Sequence, residues 1–157
     1  MQTIRLETRI SAPAERCFLL SLSIDLQMDS TAPTRERAIA GVTHGLIGAG
    51  ESVTWEGRHF GLRLCHTSRI IAYDPYRFFC DEMTAGVFKS FRHEHYFDDA
   101  GSATTMRDVL QFAAPLGPLG AIAERVVLHE YLRRFLTERN AMIRWAAESE
   151  QWRKYLK

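Results

Sequence analysis

Ile4, Leu6, Thr8 and Ile10 alternate with Arg5, Glu7 and Arg9, a period of two that predicts a half-buried strand over 3–11. Pro13 and Glu15 then suit a helix start, and Phe18, Leu19, Leu22, Leu26 and Met28 supply apolar positions for two short helices with a break near Ser23. Turn residues divide the next eighty positions into six strand segments, at 34–41, 51–57, 62–73, 77–84, 87–98 and 103–114. Gly41, Gly45, Gly48 and Gly50 punctuate turns; no Gly-Lys-Ser/Thr follows them, so they do not read as a phosphate loop. Short turns between consecutive strands imply an antiparallel meander. The period then lengthens. Ile122, Val126, Leu128, Leu132, Phe135, Leu136, Met142 and Ile143 recur at helical spacing, and the charged residues between them, Glu124 and Arg133 included, belong on a solvated side. One helix from about 119 to 147 follows, with Pro115, Gly117 and Pro118 at its entry.

A helix that long must bury its stripe, and the only partner is the sheet before it. The expected fold is therefore α+β, a helix-grip: a curved antiparallel sheet wrapped around a long C-terminal helix, with two short helices after the first strand. Residues 1–147 form one domain, and 148–157 are a C-terminal extension around Trp152 and Tyr155 that follows the helix loosely. A curved sheet cannot lie flat on one helix along its whole length, so a cavity is expected between them.

Strand alternation sorts the candidate lining. Phe91, His93, His95 and Phe97 share one face, opposed by Ser90, Arg92, Glu94 and Asp98. The same rule turns Asp108 inward with Met106 and Leu110, His66 inward with Leu64 and Ser68, and Asp81 inward with Phe79 and Met83. We expect His66, Asp81, His93, His95 and Asp108 to line the cavity, with Trp55, Met83 and Phe91 as apolar walls. The same His–Asp pairs would also serve as internal hydrogen bonds that orient the sheet. A metal at His93-x-His95 needs a third ligand from His66 or Asp108 across the sheet, and is set aside.

The 157 residues carry 20 basic and 19 acidic side chains, for a net charge of +1, which leaves no electrostatic footprint for nucleic acid. No segment reads as a signal peptide or a membrane span. Cys17, Cys65 and Cys80 are scattered and odd in number, which fits buried thiols in a reducing cytoplasm. A homodimer through a sheet edge or the outer side of the helix is left open.

The segments GESVTWEGRHFG (50–61), FCDEM (79–83), GVF (86–88), HEHYF (93–97) and PLGPLG (115–120) resemble a bacterial branch of the START-like superfamily, the cyclase/dehydrase-like or "cell division inhibitor"-like branch. The resemblance spans about 4 to 139 and implies a ligand-binding domain. It supports binding of a small, largely apolar molecule, lipid-like, aromatic or polyketide-like, with no cofactor. Two alternatives stand beside it. One is a cyclase or dehydratase in which His93 or His95, paired with Asp108, acts as general base. The other is a co-chaperone-like interaction module, which would expose an apolar patch instead of a deep pocket.

Overall fold

The computed structural model describes every residue except Leu116, and the backbone alone at Glu124. The first strand, β1 (Gln2–Ile10), leads into helices α1 (Ala14–Ser21) and α2 (Ile24–Ser30) and a single 3-10 turn at Ala32–Thr34. The break between the two helices falls at Ser23, whose hydroxyl accepts from the Leu26 amide at 3.2 Å and caps α2. The meander is β2 (Arg37–Gly41), β3 (Ser52–His59), β4 (Leu62–Asp74), β5 (Phe78–Ala85), β6 (Ser90–Asp99) and β7 (Thr104–Ala113). All pairs are antiparallel, in the order β1-β7-β6-β5-β4-β3-β2. Bulges near Ala38–Ala40 and at two points of the β4–β5 pair bend the sheet toward its concave side.

Helical structure then runs as α3 (Gly117–Ala123), a π turn (Glu124–Leu128) and α4 (His129–Glu148), closed by the short α5 (Trp152–Tyr155). Leu132, Leu136, Ile143, Ala146 and Ala147 are buried on one face of α4, as the spacing predicts. Upstream the expectation fails. Leu119, Ile122 and Val126 are 75%, 63% and 69% exposed, so the first part of the stripe does not grip the sheet. A π turn adds a residue to the helical repeat, which rotates everything before it by about 100° relative to α4. Leu116, in the quoted helix entry, and the side chain of Glu124, expected on the solvated side, lie outside the described residues.

Two apolar clusters form the core. The larger joins α1, α2, the C-terminal half of α4 and the ends of β4 to β7 around Phe18, which makes edge contacts at 5.3–5.7 Å with Tyr73, Tyr76, Phe79 and Phe97. The smaller holds Ile4, Leu110, Phe112, Leu132 and Leu136. The C-terminal extension does not follow the helix loosely: Tyr155 is buried, and both its hydroxyl and Lys154 Nζ donate to Asp29 Oδ2 at 2.7 Å. Cys65 is exposed, against expectation, while Cys17 and Cys80 are buried and all three are free. Burial pushes the Cys17 thiol up to about 11 and the Cys80 thiol up to about 12, so neither is a ready nucleophile. No helix among the described residues is long and apolar enough to cross a membrane.

Candidate functional site

Between the concave face and the helical segment lies a cavity of about 390 Å³. Its walls are mostly apolar, including Leu22, Ile47, Val53, Phe88, Leu132 and Leu136. The exposed lining residues Phe60, Val87 and Pro115 mark where it opens. Of the eight side chains expected at the site, six line it: Trp55, His66, Asp81, Phe91, His93 and His95. Two do not. Met83 packs its sulfur beside Gly86, where an added Cβ would sit only 2.7 Å from it. Asp108 lies behind the histidines with a fully buried carboxylate.

Neighbouring strands bring the polar residues into register. His95 pairs with Asp108 on β7 and with Phe79 on β5, and Asp81 pairs with His93. His93 Nε2–H donates to Asp108 Oδ1 at 2.9 Å, and His95 Nε2–H donates to Asp81 Oδ2 at 2.9 Å; carboxylates only accept, which fixes where these protons sit. The two imidazoles lie 3.8 Å apart, and His95 stacks on Phe79 at 4.0 Å. His95 Nδ1 is 3.1 Å from Asp108 Oδ1 but poorly aligned, and it is the buried side-chain atom left without a hydrogen bond among the described residues. Burial acts to raise the Asp108 carboxyl, but the His93 hydrogen bond and the close approach of both imidazoles outweigh it and hold the group well below the usual carboxylate range. Burial pulls the His93 imidazole down, with the neighbouring His95 adding to the effect and Asp108 opposing it. His66, in edge contact with Phe91 at 5.0 Å, is also pulled down by burial.

The long helix supplies two more members. Asn140 Nδ2 donates to Asp108 Oδ2 at 2.7 Å, and Arg139, buried beside it, donates to Gln27 Oε1 at 2.9 Å and to the Ser21 carbonyl at 3.1 Å. Sequence reasoning missed both. The signal was present: 132, 136, 139/140 and 143 are one helical stripe, and two polar residues interrupt it.

Asp81, His93 and His95 each offer a ligand atom within 4.8 Å of the others, a two-histidine, one-carboxylate set of the kind that takes zinc or iron. The third member is Asp81, where His66 or Asp108 was expected. Both histidine Nε2 atoms already have carboxylate partners, His95 with Asp81 inside the set and His93 with Asp108 outside it.

No family model and no curated protein matches the sequence. Solved structures do. The Zhui aromatase/cyclase from Streptomyces sp. R1128 superimposes with a TM-score of 0.75 at 16% identity, over 94% of this chain and 93% of that one. The chain has the START-like helix-grip fold. A START superfamily protein from Mycobacterium smegmatis gives a TM-score of 0.67 at 10% identity, covering 90% of this chain and 96% of that one. The major latex-like protein 151 of Panax ginseng gives 0.65 at 15%, covering 94% and 98%. At these identities the START-like likeness concerns the backbone, and the site has to be argued from its own residues.

Proposed function

We propose that this START-like chain binds a small, largely apolar molecule, lipid-like, aromatic or polyketide-like, in the cavity between the sheet and the C-terminal helix. The observation that carries the reading is the cavity itself: apolar walls with a few converging polar groups, Asp81, His93, His95 and Arg139, in one region. Those groups orient the ligand, while Asp108 and Asn140 hold the histidines from behind. Residues 1–147 act as the binding domain. The cavity argues against the interaction-module alternative, because the concave face is not filled by the helix.

A cyclase or dehydratase reading draws on one specific observation. His93 lines the cavity and is backed by a buried carboxylate, the arrangement of a general base held in one tautomer. The aromatase/cyclase neighbour lends the same backbone.

Native mass spectrometry of gently purified protein, followed by a thermal-shift screen of aromatic polyketides and fatty acids, tests the binding reading. At least one apolar compound should copurify with or stabilise the protein. Ser68→Phe, which fills the cavity from β4, should abolish that stabilisation. Stabilisation that survives the filled cavity would place the ligand elsewhere and defeat the proposal.

A further inference from the structure

A second polar group faces the same cavity from other elements. Glu36 precedes β2, His59 ends β3, and Tyr131 lies in the first turn of α4; all three line the cavity. His59 Nε2 is 3.3 Å from Glu36 Oε1, and His59 Nδ1 is 2.6 Å from the Tyr131 hydroxyl oxygen. In the tautomer that carries its proton on Nε2, the nitrogen facing the Glu36 carboxylate, Nδ1 accepts from the Tyr131 O–H. The phenolic oxygen, its own proton turned to His59, keeps lone pairs for another donor.

The group is built with some care for space. A Cβ on Gly57 would sit 2.7 Å from Glu36 Cγ and 3.1 Å from His59 Nε2, so the glycine is what lets the two meet. Phe60 packs on the Tyr131 ring at 4.6 Å, and Phe135 stacks on it at 6.4 Å, which fixes where the hydroxyl lies. Gln27 Nε2 donates to Glu36 Oε2 at 3.5 Å while Gln27 Oε1 accepts from Arg139, so the two polar regions share one chain of contacts. Among the described residues, the charged lining groups are two carboxylates, Glu36 and Asp81, and one guanidinium, Arg139. That balance disfavours a ligand that enters as an anion and favours a neutral one that donates hydrogen bonds, whose proton, if passed on to His59, leaves the net charge of the cavity unchanged.

We propose that Glu36, His59 and Tyr131 form a proton-accepting relay for a hydroxyl-bearing, largely apolar ligand of the phenol or naphthol class, which rests on the binding reading above. At rest the ligand hydroxyl donates to the Tyr131 oxygen. When transfer occurs, the ligand O–H bond breaks and its proton forms a new O–H bond on Tyr131. The original Tyr131 proton passes to His59 Nδ1, the electron pair stays on the ligand oxygen, and Glu36 faces the imidazolium. Burial, with Glu36 and Glu138 nearby, raises the Tyr131 phenol above its ordinary value, so it is not a free phenolate at neutral pH and works through His59. His59 and Glu36 are positioning residues.

The test uses 2-naphthol, whose acidity rises sharply on excitation and whose ionised form emits at longer wavelength, with 2-methoxynaphthalene as the partner lacking a proton. The wild type should bind the naphthol about tenfold more tightly than the ether, the factor for one hydrogen bond, and show long-wavelength emission from the complex. Tyr131→Phe keeps the ring packing; it should erase both the preference and that emission while ether affinity stays within about twofold. His59→Gln should remove the emission with ether binding retained. A preference that survives in Tyr131→Phe, or emission unchanged in His59→Gln, overturns the relay but leaves the cavity reading standing. Failure of both compounds to bind the wild type overturns the two together.

Discussion

The C-terminal helical segment behaves differently at its two ends. From Arg139 to Ala147 one face of α4 is sealed against α1, α2 and β1, with Ile143, Ala146 and Ala147 fully buried. From Gly117 to Leu128 the apolar side chains Leu119, Ile122 and Val126 stand in solvent. The sealed end carries the stability of the fold, because its burial removes apolar surface at roughly 25 cal/mol per Å². The open end leaves the concave face of the sheet uncovered and thereby makes the cavity. Between them, at the middle of α4, sit the buried polar residues that belong to both.

The sharpest way to break this division is Phe18→Ala. It removes a fully buried ring with four aromatic neighbours and should cost about 3–5 kcal/mol in chemical denaturation. Since Phe18 does not line the cavity, apolar probes should bind the remaining folded fraction unchanged; a matching loss of affinity would mean the two ends are not separable.

Next in size is acid. His93 has its pKa lowered from 6.5 in the fold, so the folded state resists its protonation. Its stabilising contribution is complete above about pH 6.5 and is lost as pH falls from there through the lowered folded value. Asp108, held well below 3.8, adds stability above that value that disappears only at still lower pH. Tm should therefore drop between pH 7 and 5, and His93→Gln should flatten that limb. A limb of unchanged steepness in the variant would remove His93 as its cause.

The smallest effect is expected at the open end. Ile122→Ser should change stability by no more than about 0.5 kcal/mol, the range for exposed positions. A loss of several times that amount would show that the exposed stripe is covered in solution.

Much of this was legible before any coordinates. Alternation of period two in 87–98 and 103–114 placed His93, His95 and Asp108 on the buried face, because register cannot slip by one residue without turning Phe97 and Met106 to solvent. The meander followed from turns such as Asp74-Pro75 and Asp99–Ser102, and the two short helices from Pro13, Glu15 and the break near Ser23. Asp108 was assigned to the lining and instead lies behind it: alternation tells side from side, not depth. The Glu36–His59–Tyr131 group was invisible, since three elements far apart in sequence supply one residue each. The exposed first half of the helical stripe was misread for another reason. Periodicity assumes an unbroken 3.6-residue repeat, and no residue type marks where a π turn interrupts it.

That interruption separates two indexing systems along one segment. The helical wall of the cavity is aimed by α4, the exposed apolar stripe of Leu119, Ile122 and Val126 by the residues before Leu128, and the π turn sets the phase between them. Adding or removing one residue within Glu124–Leu128 would swing Leu119 and Ile122 by about 100° relative to Leu132, Leu136 and Arg139, which stay where they are. Here a change in length can re-aim an exposed apolar surface without disturbing the cavity wall.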